Sequence, residues 1–284
     1  MAKNIPVRKN WMTSIEIILR KPIILLPFFI IAFLEGLALE LIYFSTRKPL
    51  SYITAPIIRK FSGEAFLHYP FNLIKLPKLF YYSQILIYVF AGAFLTAISI
   101  NILRNIKEKL PLRAKALIKN ALNRYLSLVV YGIILISLIF LLGKADMFIF
   151  SKLVNIISKH FPRIVPKWFV LPSALFFFLT DLIMYTFLVL VVPIIVIEKK
   201  PLLKAITGSV ALGFRNFFNI FALIFLPHLV YLPIPLLKAY LPNLVPKTFP
   251  EISVLILSVG IIIAAFIDCF VIVCATQFLL EGEK

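Results

Sequence analysis

The chain has little of what soluble enzymology needs. Its 284 residues include only 12 acidic residues, 3 histidines, 2 cysteines and 9 glycines. It contains no Gly-rich phosphate loop, no Gly-x-Ser-x-Gly nucleophile motif and no His/Cys spacing of the metal-ligand kind. No enzyme activity, no metal site and no cofactor is therefore expected. Cys269 and Cys274 fall in one apolar run at i,i+5, off a shared helix face. They read as small buried hydrophobes, neither a disulfide nor a metal pair.

Apolar surface is what the chain has in excess. Hydrophobic residues make up 62% of it, 28 of them Phe, and the mean hydropathy is +1.01. A soluble domain of this size has no use for so much, and apolar stretches of about 18 or more residues recur along the chain. The expected class is an all-α polytopic membrane protein forming a single integral membrane domain over 1–284. Six spans are expected at about 22–44, 81–103, 126–143, 168–197, 217–237 and 252–279. Each is near the roughly 20 residues a helix needs to cross a bilayer. The first run is too long for the apolar core of a cleaved signal peptide.

The net charge of +18 sits in the short segments between apolar runs. It reads as a topology signal and as contact with anionic lipid headgroups, not as a nucleic-acid footprint, since no segment is long enough for a reader domain. Of the 30 Lys and Arg residues, 17 fall on the side of the N-terminus and 13 on the other. The dense basic stretch 104–124 points the same way, so both termini are expected in the cytoplasm and the chain in the cell membrane.

An internal repeat organises the spans. Pro-Lys-x-Phe occurs at Pro77-Lys78-Leu79-Phe80, Pro166-Lys167-Trp168-Phe169 and Pro246-Lys247-Thr248-Phe249, the only Pro-Lys pairs in the chain. Each copy stands before the second, fourth or sixth expected span. Amphipathic segments with basic faces precede the first, third and fifth, at 11–20, 112–124 and 202–215. Pro111 and Pro201 suit the first turns of the latter two. The expected build is three parallel hairpin repeats, about 8–103, 111–197 and 201–279, each preceded by an interfacial amphipathic helix. Outer interfacial helices are also expected at 50–61, where Pro56 interrupts, and at 146–161.

Four ionisable residues lie inside the expected spans: Glu35, Asp181, His228 and Asp268. A carboxylate at the bilayer centre costs roughly 2.5–3.5 kcal/mol even on insertion scales, so it faces a partner, the bundle interior or water. One reading makes these acids a proton or cation relay; the other makes them structural, hydrogen-bonded between helices. Asp181 and Asp268 break the repeat, lying eight residues after Ser173 and fifteen after Ser253. His228 follows Pro227 and precedes Pro233 and Pro235, which suits either a broken helix lining a transport site or a kinked structural helix. The repeated Lys78, Lys167 and Lys247 could ring an axis as contacts for an anion or lipid headgroup. Alternatively they snorkel beside aromatic anchors.

The segment Val192-Pro-Ile-Ile-Val-Ile-Glu-Lys-Lys-Pro-Leu-Leu-Lys-Ala-Ile-Thr-Gly-Ser209, with Phe214-Arg-Asn-Phe217, resembles part of a broad group of six-span membrane proteins. The group includes the membrane domain fused to some glycerophosphodiester phosphodiesterases. Leu110-Pro-Leu-Arg-Ala-Lys-Ala116 through Tyr125 is similar to the helix before the third span in that group. The resemblance implies six-span architecture and hints at lipid metabolism. It carries no phosphodiesterase activity, because no such domain is in this sequence.

Two functions follow as expectations. One is permeation or transport of a small solute, ion or lipid headgroup between the repeats. The other is a non-transporting membrane scaffold or subunit with a membrane protein partner.

Overall fold

A computed structural model describes residues 7–160, 170–244 and 249–282. The described chain is all-helical, with no strands. The helices are α1 (Val7–Arg20), α2 (Leu26–Phe44), α3 (Ser51–Ser62), α4 (Phe71–Ile87), α5 (Ala93–Lys107), α6 (Ala114–Leu122) and α7 (Tyr125–His160). They continue as α8 (Val170–Leu188), α9 (Val191–Ile197), α10 (Leu202–Arg215), α11 (Phe217–Tyr231), α12 (Pro233–Leu244) and α13 (Ile252–Gly282).

Five helical segments are long and apolar enough to cross a membrane: Pro22–Phe44, Phe71–Lys107, Tyr125–Ile157, Pro172–Ile197 and Ile252–Gly282. Counting the bent pair α10–α11 as one span gives a sixth. This is the architecture of a polytopic membrane protein. Its apolar side chains form a large core shared chiefly by α2, α5, α8, α9, α11 and α13, a smaller cluster of Leu39, Leu73, Leu76, Phe80, Leu257 and Ile261, and a pair, Leu241 with Ile256.

The first and last spans lie where the apolar runs place them. The others depart from expectation, each for a local reason. The second begins at Phe71, ten residues early, and Pro77 falls inside α4 rather than at a helix mouth. Leu73, Leu76 and Phe80 at i,i+3,i+7 are each 1% exposed, so inward packing outweighs the hydrogen bond that proline forfeits. A π turn at Tyr88–Gly92 then joins α4 to α5. Lys78 is exposed on α4. Lys167 and Lys247 lie outside the described residues, as do the second Pro-Lys-x-Phe copy and all of the third but Phe249.

The expected outer helix 146–161 is not separate: its described part continues α7, a single helix of 36 residues. At ~1.5 Å per residue it is about 54 Å long, well beyond a hydrocarbon core of roughly 30 Å. The fourth span breaks between α8 and α9, where Pro193 has no N–H to continue the ladder. Side chains donate to two carbonyls at the end of α8. The Tyr131 hydroxyl donates to the Leu188 carbonyl at 2.9 Å, and Ser209 to that of Phe187 at 2.7 Å. The fifth ends at Tyr231, not 237, because Pro233 starts a new helix.

The short helices bury narrow stripes. α10 buries Ala205, Ser209 and Gly213 at i,i+4,i+8. A Cβ on Gly213 would stand 3.2 Å from the Phe187 Cα, so α10 approaches α8 as closely as glycine permits. α10 and α11 meet at 95°. α1 buries Asn10 and Ser14, and Asn10 Nδ2 donates to the Cys274 carbonyl at 3.2 Å. Lys107 pairs with Glu281 at 3.2 Å. These contacts gather α1 and the C-terminal ends of α5 and α13 at one end of the bundle. Cys269 and Cys274 are both buried and unbridged.

Candidate functional site: a polar layer between two apolar clusters

Along α2, Ile31, Glu35 and Leu39 recur at i,i+4,i+8, so they share one face. Ile31 belongs to the large core and Leu39 to the smaller cluster. Glu35, 1% exposed, is therefore held between two apolar layers. On α4, Gln84 follows Phe80 of the smaller cluster by one turn; on α13, Asp268 lies deeper, flanked by Ala265, Ile267 and Cys269 of the large core.

Two hydrogen bonds cross this layer. Gln84 Nε2 donates to Glu35 Oε1 at 2.6 Å. The Tyr88 hydroxyl donates to Asp268 Oδ2 at 2.8 Å. His228 Nδ1–H donates to the Ile224 carbonyl at 2.8 Å, because a carbonyl can only accept. The His228 ring meets Tyr185 edge-on, with centroids 6.0 Å apart.

Electrostatics joins these pairs into one cluster. Glu35 and Asp268 lie within electrostatic reach of each other. Asp268 is also within reach of His228, Tyr185 and Tyr231. Lys238, on α12 beyond the apolar span, acts on Glu35. Burial pulls its ammonium below the ordinary lysine range, and the Glu35 carboxylate opposes that pull.

The two acids differ in access. Glu35 is sealed, whereas Asp268 is half-buried and the Tyr88 ring is 36% exposed. Groups of α2, the π turn, α8 and α11 lie within electrostatic reach of Asp268.

Three of the four intramembrane residues singled out in the sequence, Glu35, His228 and Asp268, thus come together. Asp181 does not. It is exposed on α8, within electrostatic reach of Tyr81 and Asp146. Asp146, expected on an outer segment, is 3% exposed on α7 and accepts a hydrogen bond from Thr180 at 2.6 Å. Sequence reasoning missed Gln84, Tyr88, Tyr185, Tyr231 and Lys238. The one available signal was Gln84, since the chain has only two glutamines and the other is Gln277.

No His/Cys/Asp/Glu group suited to a metal ion occurs among the described residues. Comparison with protein-family models, curated proteins and solved structures finds no match for the chain.

Proposed function

We propose that the chain is a multi-pass permease of the cell membrane that moves a small solute or ion along a path past Asp268. The observation that carries this reading is the Tyr88–Asp268 hydrogen bond, which joins a half-buried carboxylate at membrane depth to a partly exposed ring. A carboxylate is costly at that depth, and one that is retained there is by default a candidate for function. The π turn that carries Tyr88 supports the same reading, since such turns gather at functional sites.

In this reading the three short helices α1, α6 and α10 lie in the headgroup plane on the cytoplasmic side, with both termini. On α10, Leu203 and Phe214 are 76% and 72% exposed, beside the exposed Lys204 and Arg215. Apolar and basic side chains together suit an anionic bilayer surface. The 95° turn into α11 suits a helix lying flat before a span. Three parallel hairpins, each opened by such a helix, are the arrangement that fits this order of elements.

The test is proton-coupled flux. Wild type and Asp268→Asn are reconstituted in liposomes, and dissipation of an imposed pH gradient is followed. Wild type dissipates the gradient faster than empty liposomes, and Asp268→Asn returns it to background. Equal rates for all three would sink the permease. The scaffold alternative draws on the sealed Glu35–Gln84 pair. It predicts a defined membrane protein co-purifying in mild detergent.

A further inference from the structure

Where α6 turns into α7, the surface holds an open groove of about 300 Å³. Phe90, Ala91 and Phe94 line it from the second span, and Leu122 and Tyr125 from the α6–α7 corner. The Phe94 and Tyr125 rings meet edge-on, with centroids 6.1 Å apart, and so hold the two walls together. Phe90 and Leu122 are 49% and 56% exposed. Farther along α7, a Cβ on Gly132 would stand 3.5 Å from the Val89 Cα, so the helix closes on the π turn beyond the groove. Every lining side chain except that of Tyr125 lacks a polar atom.

Tyr125 is also the first residue of the third span. The groove therefore lies where a long apolar run meets the polar segment before it. That segment, 104–124, holds seven Lys and Arg residues and one acid. Arg104 pairs with Glu108 and Lys107 with Glu281, and the other five cations make no ion pair among the described residues. Lys115, Lys119 and Leu122 recur at i,i+4,i+7, so two of these cations share a face of α6 with a residue of the groove. Leu117 and Ala121 are buried on the other side of that helix. Arg124 lies in the turn between Leu122 and Tyr125.

An apolar groove with unpaired cations at its mouth is complementary to a molecule with one hydrocarbon part and one anionic part. A peptide laid in the groove would set its backbone N–H and C=O groups against walls that cannot pair them. A soluble anion would use the cations and leave the apolar walls uncovered. A lipid of the bilayer meets both, since its chain enters from the apolar side and its phosphate stays at the level of the cations.

We propose that the groove at the α6–α7 corner holds an acyl chain of an anionic phospholipid, with the headgroup seated on Lys119 and Arg124. The site requires only that the chain spans a membrane, and it stands apart from the permease reading.

The probes are dioleoylphosphatidylglycerol, dioleoylphosphatidylcholine and glycerol phosphate, each added to the full-length protein in one detergent and followed by thermal unfolding. Phosphatidylglycerol raises Tm in a saturable way, with an affinity at least about tenfold above that of phosphatidylcholine. Glycerol phosphate, which has the charge without the chain, gives no saturable shift over the same concentrations. Lys119→Gln combined with Arg124→Gln weakens phosphatidylglycerol binding by about tenfold. Ala91→Leu fills the groove and weakens it by at least about as much. Lys204→Gln combined with Arg215→Gln removes the same charge from α10 and leaves the affinity within about twofold. The Lys119 and Arg124 pair carries the test if Ala91→Leu does not fold. Equal affinity for the two lipids would mean an unselective lipid belt and would overturn the proposal. An equal response to glycerol phosphate would overturn it in favour of a plain anion site. Equal losses from the α6 and α10 pairs would overturn it in favour of diffuse surface charge.

Discussion

Tyr88 and Asp268 stand 180 residues apart in the chain and 2.8 Å apart in the fold. Their hydrogen bond ties the π turn of the second span to the middle of the last helix. The two residues are thus a point at which the second and last membrane segments are registered against each other.

Removing the Tyr88 hydroxyl should therefore separate function from folding. Tyr88→Phe keeps the ring in place and costs roughly 1 kcal/mol of stability. It lowers Asp268-dependent gradient dissipation several-fold in liposomes. Asp181→Asn, at an exposed carboxylate outside the Glu35–Asp268 cluster, leaves the rate within about twofold. A larger loss from Asp181→Asn than from Tyr88→Phe would place the pathway along α7 and α8 instead.

Glu35 and Gln84 test the sealed half of the layer. Gln84→Leu strands a buried carboxylate and destabilises by about 2–3 kcal/mol. Glu35→Gln removes the charge while an amide can still meet Gln84, and is neutral or stabilising. Thermal unfolding in one detergent checks both. Parallel losses in the two variants would mean that the carboxylate itself, rather than the satisfaction of its partner, holds α2 to α4.

Close helix approaches give a prediction independent of chemistry. A Cβ on Gly260 would stand 2.9 Å from Ile234 Cγ2, and one on Gly213 meets the Phe187 backbone. Alanine at either position destabilises by about 1–3 kcal/mol. Nothing lies within 4 Å of a Cβ on Gly143, inside α7. Gly143→Ala therefore stabilises by up to about 1 kcal/mol through helix propensity alone. A chemical or thermal denaturation series orders the three.

Lys238 sets a pH dependence. Its folded value lies below its unfolded one because burial disfavours the ammonium. Between the two values the unfolded chain binds more protons, so stability rises with pH across that window. Tm measured at increasing alkaline pH climbs in wild type, and Lys238→Met flattens the climb. A falling Tm over the same range, identical in the variant, would show that Lys238 keeps its ordinary affinity for the proton.

The sequence made some elements visible and hid others. The first and last spans are uninterrupted apolar runs, and hydropathy alone finds them. The start of α4 is masked by Lys75, Pro77 and Lys78, although the inward stripe of Leu73, Leu76 and Phe80 was present as a helical period. The outer half of α7 is masked by Lys144 and Asp146, and only the fold reveals that Asp146 turns inward to Thr180. At the site, charges stranded in apolar runs are conspicuous, so Glu35, His228 and Asp268 could be found. Tyr88, Tyr185 and Tyr231 could not, since tyrosine is an ordinary interface residue until a carboxylate stands beside it. Asp181 and Asp268 look alike in sequence. What separates them is which helix face meets the bundle, and neither apolar run has a polar face to fix that in advance.

The π turn has a mechanical meaning. The stretch before it carries Leu73, Leu76 and Phe80, half of the six side chains of the smaller apolar cluster. The stretch after it is moored, with Ser99 donating to the Ile24 carbonyl at 3.2 Å and Lys107 paired to Glu281. A π turn holds one surplus residue, which offsets the stretch before it from the stretch after it by about 100° relative to an unbroken helix. One residue of slack thus lets a single span turn its first half into one apolar cluster and its second half into another.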